Sequence, residues 1–220
     1  MNVVLTLNEA RILACLLEKE ATTPDNYPLS LNALANAANQ KSSRNPVMAL
    51  EEKDVVHAID SLRDKRLVSA RHSSGSRVSK YAHEFQSVCN FSPAERATLC
   101  VLMLRGPLTP GEIRSCTASH HAFHSLEEVD QTLKQLAERG DGPFVAKLPR
   151  QPGRKESRFA HLFCGDVKVD DTAEAQAEPA PSNVAEGGGR MEVLEQQLAA
   201  LSAKVEQLEI RVGRLDHPII

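Results

Sequence analysis

The sequence lacks the features that mark several common classes of protein. No apolar run approaches the ~20 residues that a helix needs to span a bilayer, and no basic segment followed by an apolar core stands at the start. We therefore expect no membrane association and no secretory signal, and we predict a cytoplasmic protein. Catalytic motifs are also missing: there is no GxSxG, Walker loop, dinucleotide fingerprint or HExxH. The sequence thus predicts a protein that is not an enzyme and has no cofactor.

The cysteines form neither a disulfide pattern nor a metal pattern. There are five of them, an odd number without a CxxC pair, which favours reduced thiols. One group, Cys116 with His120, His121 and His124, contains residue types that zinc binds. Its spacing matches no zinc module, and the remaining ligands of a closed site are missing. We interpret the group as a polar turn ahead of a helix and predict no metal site.

Charge is unevenly distributed along the chain. Residues 1–165 hold 21 Lys and Arg against 18 Asp and Glu, a net charge of +3, whereas residues 166–220 hold 5 against 11, a net charge of −6. The N-terminal part is therefore mildly basic and the remainder is acidic. Mild basicity permits nucleic-acid binding without requiring it, because affinity for phosphates depends on local clustering of cations.

Two stretches of the chain begin with the same helix signal. Residues 5–17 read LTLNEARILACLL and residues 91–103 read FSPAERATLCVLM. In each, a hydroxyl residue precedes a glutamate by three positions, which is the pattern of a capping box. An apolar run at helical spacing follows. The two boxes consist of Thr6 with Glu9 and Ser92 with Glu95. The sequence therefore predicts two equivalent first helices.

Each first helix is followed by two more helical patterns and then by a basic hairpin. Residues 77–85 read RVSKYAHEF and residues 155–163 read KESRFAHLF, and short strand patterns flank a Gly-containing turn in each copy. A duplicated helix–helix–helix–hairpin unit predicts a mainly α fold with small β-hairpins, arranged as tandem winged-helix domains. His83 and His161 take equivalent positions, so we expect them to close the hairpins structurally rather than to catalyse a reaction.

The repeat divides the chain into four parts. Residues 1–86 and 87–165 are the two predicted winged-helix domains. Residues 166–189 are acidic and rich in Ala, Pro and Gly, which predicts a flexible linker. Residues 190–216 carry apolar heptads, which predict a short coiled coil and hence a homodimer, although a heterotypic partner fits the same pattern. The predicted dimerisation residues are Leu194, Leu198, Leu201, Val205, Leu208, Val212 and Leu215.

Several longer motifs resemble one known family. They are TTPDNYPLSLNALANAANQKSSRNPV at 22–47, GSRVSKYAHEF at 75–85, LRGPLTPGEIR at 104–114 and DGPFVAKLPRQPGRKESRFAHLF at 141–163. Over residues 4–165 the chain resembles the YceH-like family of uncharacterised bacterial proteins. The resemblance implies a tandem winged-helix fold and leaves the molecular function open. Two residues depart from the family pattern: Ala38 stands where a cysteine is expected, and Asn45 where an acidic residue is expected.

The hairpins and the loop before the third helix hold the candidate binding residues. Arginines and lysines around a Gly-tipped hairpin suit phosphate contacts and insertion into the minor groove of DNA. The alternative is a solvated hairpin whose charges protect exposed edge strands from aggregation. The candidate nucleic-acid-binding residues are Lys41, Arg44, Arg71, Arg77, Lys80, Lys147, Arg150, Arg154, Lys155 and Arg158.

The third helix of each repeat favours a different interpretation. In a helix-turn-helix protein this helix enters the major groove, yet here it begins Glu51-Glu52-Lys53-Asp54 in the first repeat and Glu127-Glu128 in the second. Acidic side chains suit a helix N-terminus but repel phosphates. We therefore expect DNA contacts through hairpins and backbone rather than base readout. A protein–protein adaptor is the alternative, because acidic helices suit a docking surface.

Overall fold

The computed structural model describes residues 3–71, 78–151, 153 and 156–165, apart from the side chain of Val88. The predicted linker and the predicted coiled coil lie outside these residues. The same is true of the dimerisation residues Leu194, Leu198, Leu201, Val205, Leu208, Val212 and Leu215. Both the linker and the coiled coil therefore remain predictions.

The described part is a mixed α/β structure with seven α-helices. The helices are α1 Leu7–Thr22, α2 Leu31–Ala38, α3 Glu52–Asp64, α4 Phe85–Cys89, α5 Pro93–Arg105, α6 Pro110–Thr117 and α7 Leu126–Glu138. The strands are β1 Leu29–Ser30, β2 Val68–Arg71, β3 Lys80–His83, β4 Val145–Lys147 and β5 Phe159–His161. Three helices and then a pair of strands thus occur twice, in the order that the repeat predicts.

Two small antiparallel sheets confirm the predicted hairpins. In the first, β2 pairs with β3 from Val68 opposite His83 to Arg71 opposite Lys80, and β1 adds to the other side of β3. In the second, β4 pairs with β5, and Leu108 forms a bridge to Phe159 immediately before α6. The segment preceding the second helix therefore pairs with the last strand in both repeats. The sequence pattern did not predict this third strand.

Side-chain caps start the helices where the sequence predicts. The Thr6 N–H donates to the Glu9 carboxylate at 2.6 Å, and the Glu9 N–H donates back to the Thr6 hydroxyl at 3.3 Å. The same reciprocal box opens α5 with Ser92 and Glu95. Each box satisfies N–H groups that would otherwise lack partners at the start of a helix. At the other end of α5, Gly106 adopts φ of 74°, a conformation that favours glycine.

Both capping glutamates also reach across to the end of the third helix. Glu9 is buried, and its carboxylate accepts from Lys65 Nζ at 2.7 Å. In the second repeat the Glu95 carboxylate lies 3.4 Å from Arg139, whose guanidinium stacks over the ring of Phe91 at 4.7 Å. Lys65 and Arg139 are the C-cap residues of α3 and α7. One ion pair thus ties the first helix to the third in each repeat.

The two first helices lie at the centre of the core. Residues 9–17 of α1 and 97–104 of α5 are buried without interruption, as expected for helices packed on all sides. The helices meet where the Cys100 thiol contacts the Ala14 carbonyl at 3.4 Å. Ser92 follows Thr6 by 86 positions, and the same offset separates Cys100 from Ala14. The contact therefore joins equivalent positions of the repeats, as in an isologous interface.

Four phenylalanines extend this core between the repeats. Phe85 and Phe163 end the two hairpin motifs, and their ring centroids lie 5.7 Å apart. Phe91 packs between Phe85 at 5.0 Å and Phe144 at 4.8 Å. Phe85 begins α4, a short helix that the sequence did not predict, and the predicted boundary between residues 86 and 87 falls inside it. A division into two domains remains a prediction, and both repeats contribute to one hydrophobic cluster.

The proline-rich segment after α1 contains two short regular elements. Residues Pro24–Asn26 form one 3₁₀ turn, and Leu29–Ser30 form β1. Pro24 stands at the first position of the turn, where a missing N–H costs no hydrogen bond.

The phenylalanine cluster generates a stability prediction. Phe91 is 1% exposed, so Phe91→Ala leaves a cavity in the shared core and should lower the free energy of unfolding by about 3–5 kcal/mol. Val47 is 58% exposed, and Val47→Ala should stay within about 0.5 kcal/mol of wild type. Urea unfolding followed by circular dichroism measures both changes. A loss below about 1 kcal/mol in Phe91→Ala would contradict the packing described.

Candidate nucleic-acid interface

Several of the predicted cations are available on the surface. Lys41, Lys147 and Arg150 are exposed, and Lys80 is partly exposed at the start of β3. Within the described residues, none of the four forms an ion pair, so their charges are uncompensated. These four side chains are therefore accessible cations, as the predicted contacts with phosphate require.

Two further candidates are partly neutralised by neighbouring carboxylates. Arg71 donates to Glu84 at 2.5 Å and remains 58% exposed. The hydrogen bond from the Ser69 hydroxyl is the main reason why the pKa of Glu84 lies below its ordinary value, and Arg71 lowers this pKa further. Arg158 lies 3.5 Å from Glu112, and its side chain is 18% exposed. Arg71 can still reach a ligand in solvent, whereas Arg158 has little free surface.

The structure corrects the prediction for Arg44. Its side chain is fully buried, and its guanidinium donates to the Glu18 carboxylate at 2.6 and 3.0 Å. The remaining donors reach the Ala37 carbonyl at 3.2 Å and the Gln40 side chain at 2.8 Å. Every donor nitrogen of Arg44 is engaged inside the protein, so this residue has no means of contacting a phosphate. It anchors the loop after α2 onto α1 instead.

The Glu18–Arg44 pair is an electrostatic anchor in a largely buried environment. Burial raises the pKa of Glu18, but the Arg44 hydrogen bonds and charge outweigh this, and the pKa of the carboxyl lies below its ordinary value. Removing one partner of a buried ion pair costs about 3–5 kcal/mol, because the other charge is left uncompensated. The loop that holds exposed Lys41 therefore depends on this pair for its position.

Three of the candidates fall outside the described residues. They are Arg77 in the first hairpin and Arg154 and Lys155 in the second. Their assignment as binding residues stays a prediction from the sequence.

A shallow groove beside α2 adds polar groups that the sequence reasoning missed. The groove has a volume of about 470 Å³, and its lining includes Lys19 and Lys80 together with the amides of Asn26, Asn36 and Gln40. Amides and lysines are common partners of phosphate oxygens. The available signal was Asn36, an amide on the exposed face of a short helix.

The third helices present acidic outer faces. Residues 51–64 contain five acidic and two basic residues, and residues 125–138 contain four and one, so each segment has a net charge of −3. The exposed acidic residues are Glu51, Glu52, Asp60 and Asp64 in the first repeat and Glu127, Asp130 and Glu138 in the second. These faces are unfavourable for entry into a DNA groove.

His83 closes the first hairpin onto α1, as the sequence predicts. Its Nδ1 accepts from the Phe85 N–H at 3.4 Å, so Nε2 carries the proton and donates to Glu20 at 2.8 Å. The backbone N–H of His83 donates to the Tyr27 hydroxyl at 2.7 Å. The equivalent His161 has no such partner among the described residues, and burial lowers its pKa to about 4.

The His and Cys group after α6 is dispersed. His121 stacks edge-on against Phe123 at 4.7 Å and lies 3.6 Å from Glu128. His120 is directed elsewhere, with Nδ1 3.1 Å from the Ser119 hydroxyl. Over the ranges that the structure covers, no three His, Cys, Asp or Glu side chains are grouped to hold a metal ion. Over the same ranges, no helix combines the length and apolar character needed to cross a bilayer.

Comparison with known proteins identifies the family. The model of a family described as "Protein of unknown function, DUF480" matches residues 5–154. The chain belongs to this family. A UPF0502 protein of Vibrio parahaemolyticus is 49% identical over 222 residues, covering 98% of this chain and 99% of the relative. The UPF0502 protein YceH of Escherichia fergusonii is 46% identical over 220 residues, covering 97% and 100%. The resemblance to the YceH-like family is confirmed.

The Glu18–Arg44 pair generates a prediction about pH. Because the folded-state pKa of Glu18 is lowered, its contribution to stability is present above the unfolded pKa of about 4.3 and is lost as pH falls through the folded pKa. At pH 7 the free energy of unfolding of Glu18→Gln should therefore be about 3 kcal/mol lower than that of the wild type, as measured by urea denaturation. The difference should shrink between about pH 5 and pH 3.

The matched control for this experiment is Glu138→Gln. Glu138 is exposed and forms no ion pair within the described ranges, so its free energy of unfolding should stay within about 0.5 kcal/mol of wild type at each pH. A gap between wild type and Glu18→Gln that is constant from about pH 7 to pH 3 would exclude an electrostatic role for the pair.

Proposed function

We propose that the chain is a tandem winged-helix protein that binds DNA through phosphate contacts from its two hairpins. The arrangement of elements supports a winged-helix interpretation: three helices precede each hairpin, and the strand before the second helix pairs with the last strand. In this proposal the protein acts by binding in the cytoplasm and catalyses no reaction.

The observation that carries the proposal is the position of cations where the paired strands of each hairpin end toward its tip. Arg71 and Lys80 stand opposite each other where β2 ends and β3 begins. In the second hairpin Lys147 ends β4, and the next residue donates its N–H to the Arg158 carbonyl at 2.8 Å. Each hairpin therefore has at least one exposed cation where its paired strands end toward the tip, although the cations of the two repeats differ in register, because Lys147 lies opposite Phe159. Exposed cations on a narrow hairpin suit contacts with backbone phosphates.

The acidic third helices determine the mode of binding that we propose. Phosphates repel them, so the hairpins approach the duplex without inserting a helix into the major groove. Such binding has little sequence preference and a steep dependence on salt, since it rests on counterion release. Two hairpins on one chain raise their effective concentration on the same duplex. Dimerisation through the predicted coiled coil at residues 190–216 would double the number of contacts again.

Salt titration of DNA binding tests this proposal. Lys80→Ala, Lys147→Ala and Arg150→Ala are combined in one variant, and binding to a random duplex is measured between about 50 and 200 mM salt. Each lost phosphate contact should reduce the slope of log affinity against log salt by about 1, so the variant should lose roughly two to three units of slope.

The control for the salt titration is Lys53→Ala on the acidic third helix. Lys53 is 69% exposed and pairs with Glu51, so its removal should leave affinity and slope unchanged. Failure of the wild type to bind at about 50 mM salt, or equal slopes for wild type and the triple variant, would refute the proposal.

A second candidate function is that of a protein–protein adaptor, and the acidic outer faces of α3 and α7 favour it. Each face is solvent-exposed and carries a net charge of −3 over its helix and N-cap. A partner with a basic surface would be attracted to these faces and steered by their charge. Here the helices that oppose DNA binding become the binding surface.

Charge reversal separates the adaptor function from DNA binding. The double variant Asp60→Lys, Asp130→Lys should no longer capture a protein partner whose binding resists nuclease treatment. The same variant should bind a random duplex as strongly as the wild type or more strongly. Lys80→Ala should leave the nuclease-resistant partner in place. If the reversal leaves capture of that partner unchanged, the acidic faces are not the docking surface.

A further inference from the structure

A small cavity lies where the end of α1 meets the start of α5. Its volume is about 70 Å³, and its wall includes Leu17 and Glu20 from α1, Arg96 and Cys100 from α5, and His120 from the loop after α6. One water needs about 10–15 Å³, so the cavity has room for a few waters or for one oxyanion group. None of the candidate residues that the sequence predicted for nucleic-acid binding lines it.

Two residues in the wall of this cavity each hold a buried nitrogen without a hydrogen-bond partner among the described residues. The Nε atom of Arg96 and the Nε2 atom of His120 are both sealed from solvent and make no hydrogen bond in the described part of the chain. A buried donor without an acceptor costs about 1–3 kcal/mol, and each instance calls for an explanation such as a bound ion. Arg96 and His120 thus have hydrogen-bonding capacity that no described residue satisfies.

The two charged side chains in the wall of the cavity, Glu20 and Arg96, differ in whether they have a hydrogen-bond partner. Glu20 is paired, because its carboxylate accepts from His83 at 2.8 Å. Arg96 has neither an ion pair nor a side-chain hydrogen bond with any residue that the structure describes. The wall therefore combines a carboxylate that is already hydrogen-bonded with a guanidinium that has no partner among the described residues, and an anionic group is the ligand that would pair with this guanidinium.

The repeat supplies an internal reference for Arg96. Its equivalent in α1, 86 positions earlier, is Ala10, which is 3% exposed and packs in the core. The same position of the same fold is thus filled by alanine in one copy and by arginine in the other. The architecture does not require a cation here, so the arginine needs another explanation.

The surroundings of His120 strengthen the positive potential. Burial lowers the pKa of His120 below its ordinary value, Glu18 opposes this, and Arg105, Arg44 and Lys19 lower it further. Three cations therefore lie near the ring against one carboxylate. A neutral imidazole with its proton on Nε2 donates into the cavity without adding charge.

The cavity shares two lining residues with a larger cleft. Glu20 and Arg96 also line a neighbouring space of about 560 Å³, which contains Tyr27, Arg71 and Glu84. A small molecule with an acidic group in the cavity would have room for its remaining atoms in this cleft, beside the base of the first hairpin. Its polar lining suits hydroxyl and amino groups of such a ligand.

We propose that the junction of the two repeats is a binding site for the carboxylate or phosphate group of a small metabolite, with Arg96 and His120 as its hydrogen-bond donors. Arg96 supplies charge-assisted hydrogen bonds, and His120 supplies one neutral donor from the opposite element. This site is separate from the hairpin cations, and the proposal holds whether or not the chain binds DNA.

The test measures thermal unfolding of the full chain with added oxyanions. Sodium phosphate and sodium acetate are titrated separately against sodium chloride at equal ionic strength, so that general salt effects cancel. The wild type should show saturable stabilisation by at least one of the two oxyanions. Arg96→Ala, which copies the residue of the first repeat, should weaken that affinity by about tenfold or more, and His120→Gln should weaken it less.

The matched control is Arg63→Ala. Arg63 is an exposed arginine that pairs with Asp60 at 3.3 Å, far in sequence from the cavity residues, and its variant should respond to oxyanions as the wild type does. Equal responses of wild type and Arg96→Ala would overturn the proposal. Absence of a saturable response to both phosphate and acetate in the wild type would do the same.

Discussion

The rest of the described structure depends on one buried carboxylate in each repeat. Glu9 and Glu95 each close the N-terminus of a first helix and also bind the cation that ends a third helix. Because β2 begins three residues after Lys65, this ion pair also fixes where the first hairpin leaves the core. A single side chain thus couples helix start, helix packing and hairpin position, which explains why its surroundings are reproduced in both copies.

The parts of the fold that could be predicted are those specified by neighbours in sequence. Thr6 and Glu9 are three positions apart, so their box is visible in the sequence. Arg44 and Glu18 are 26 positions apart, and the polar loop around Arg44 reads like a solvated one. The burial of Arg44 follows only from the packing of α2 on α1. The strand β1 was missed for the same reason, since its two residues gain strand geometry only from β3.

The two surfaces of each repeat have opposite charge, and this separates their possible partners. Cations gather at the hairpins, whereas carboxylates cover the outer faces of α3 and α7. A polyanion would therefore be attracted to the hairpins, and a basic protein to the outer faces of α3 and α7. The loop that holds Lys41 is anchored by the Glu18–Arg44 pair, so Lys41 can contribute to binding only in the orientation which that pair allows.

The crossing of Ala14 and Cys100 joins a position to its own equivalent, which is how two subunits of a homodimer meet. In a homodimer every substitution appears on both sides of such a contact. Here the two sides are encoded separately, so one can change while the other is kept. Arginine stands in α5 where alanine stands in α1, and any feature built on that difference occurs once per chain. Duplication within one polypeptide thus retains the geometry of a symmetric pair while allowing its two halves to take different tasks.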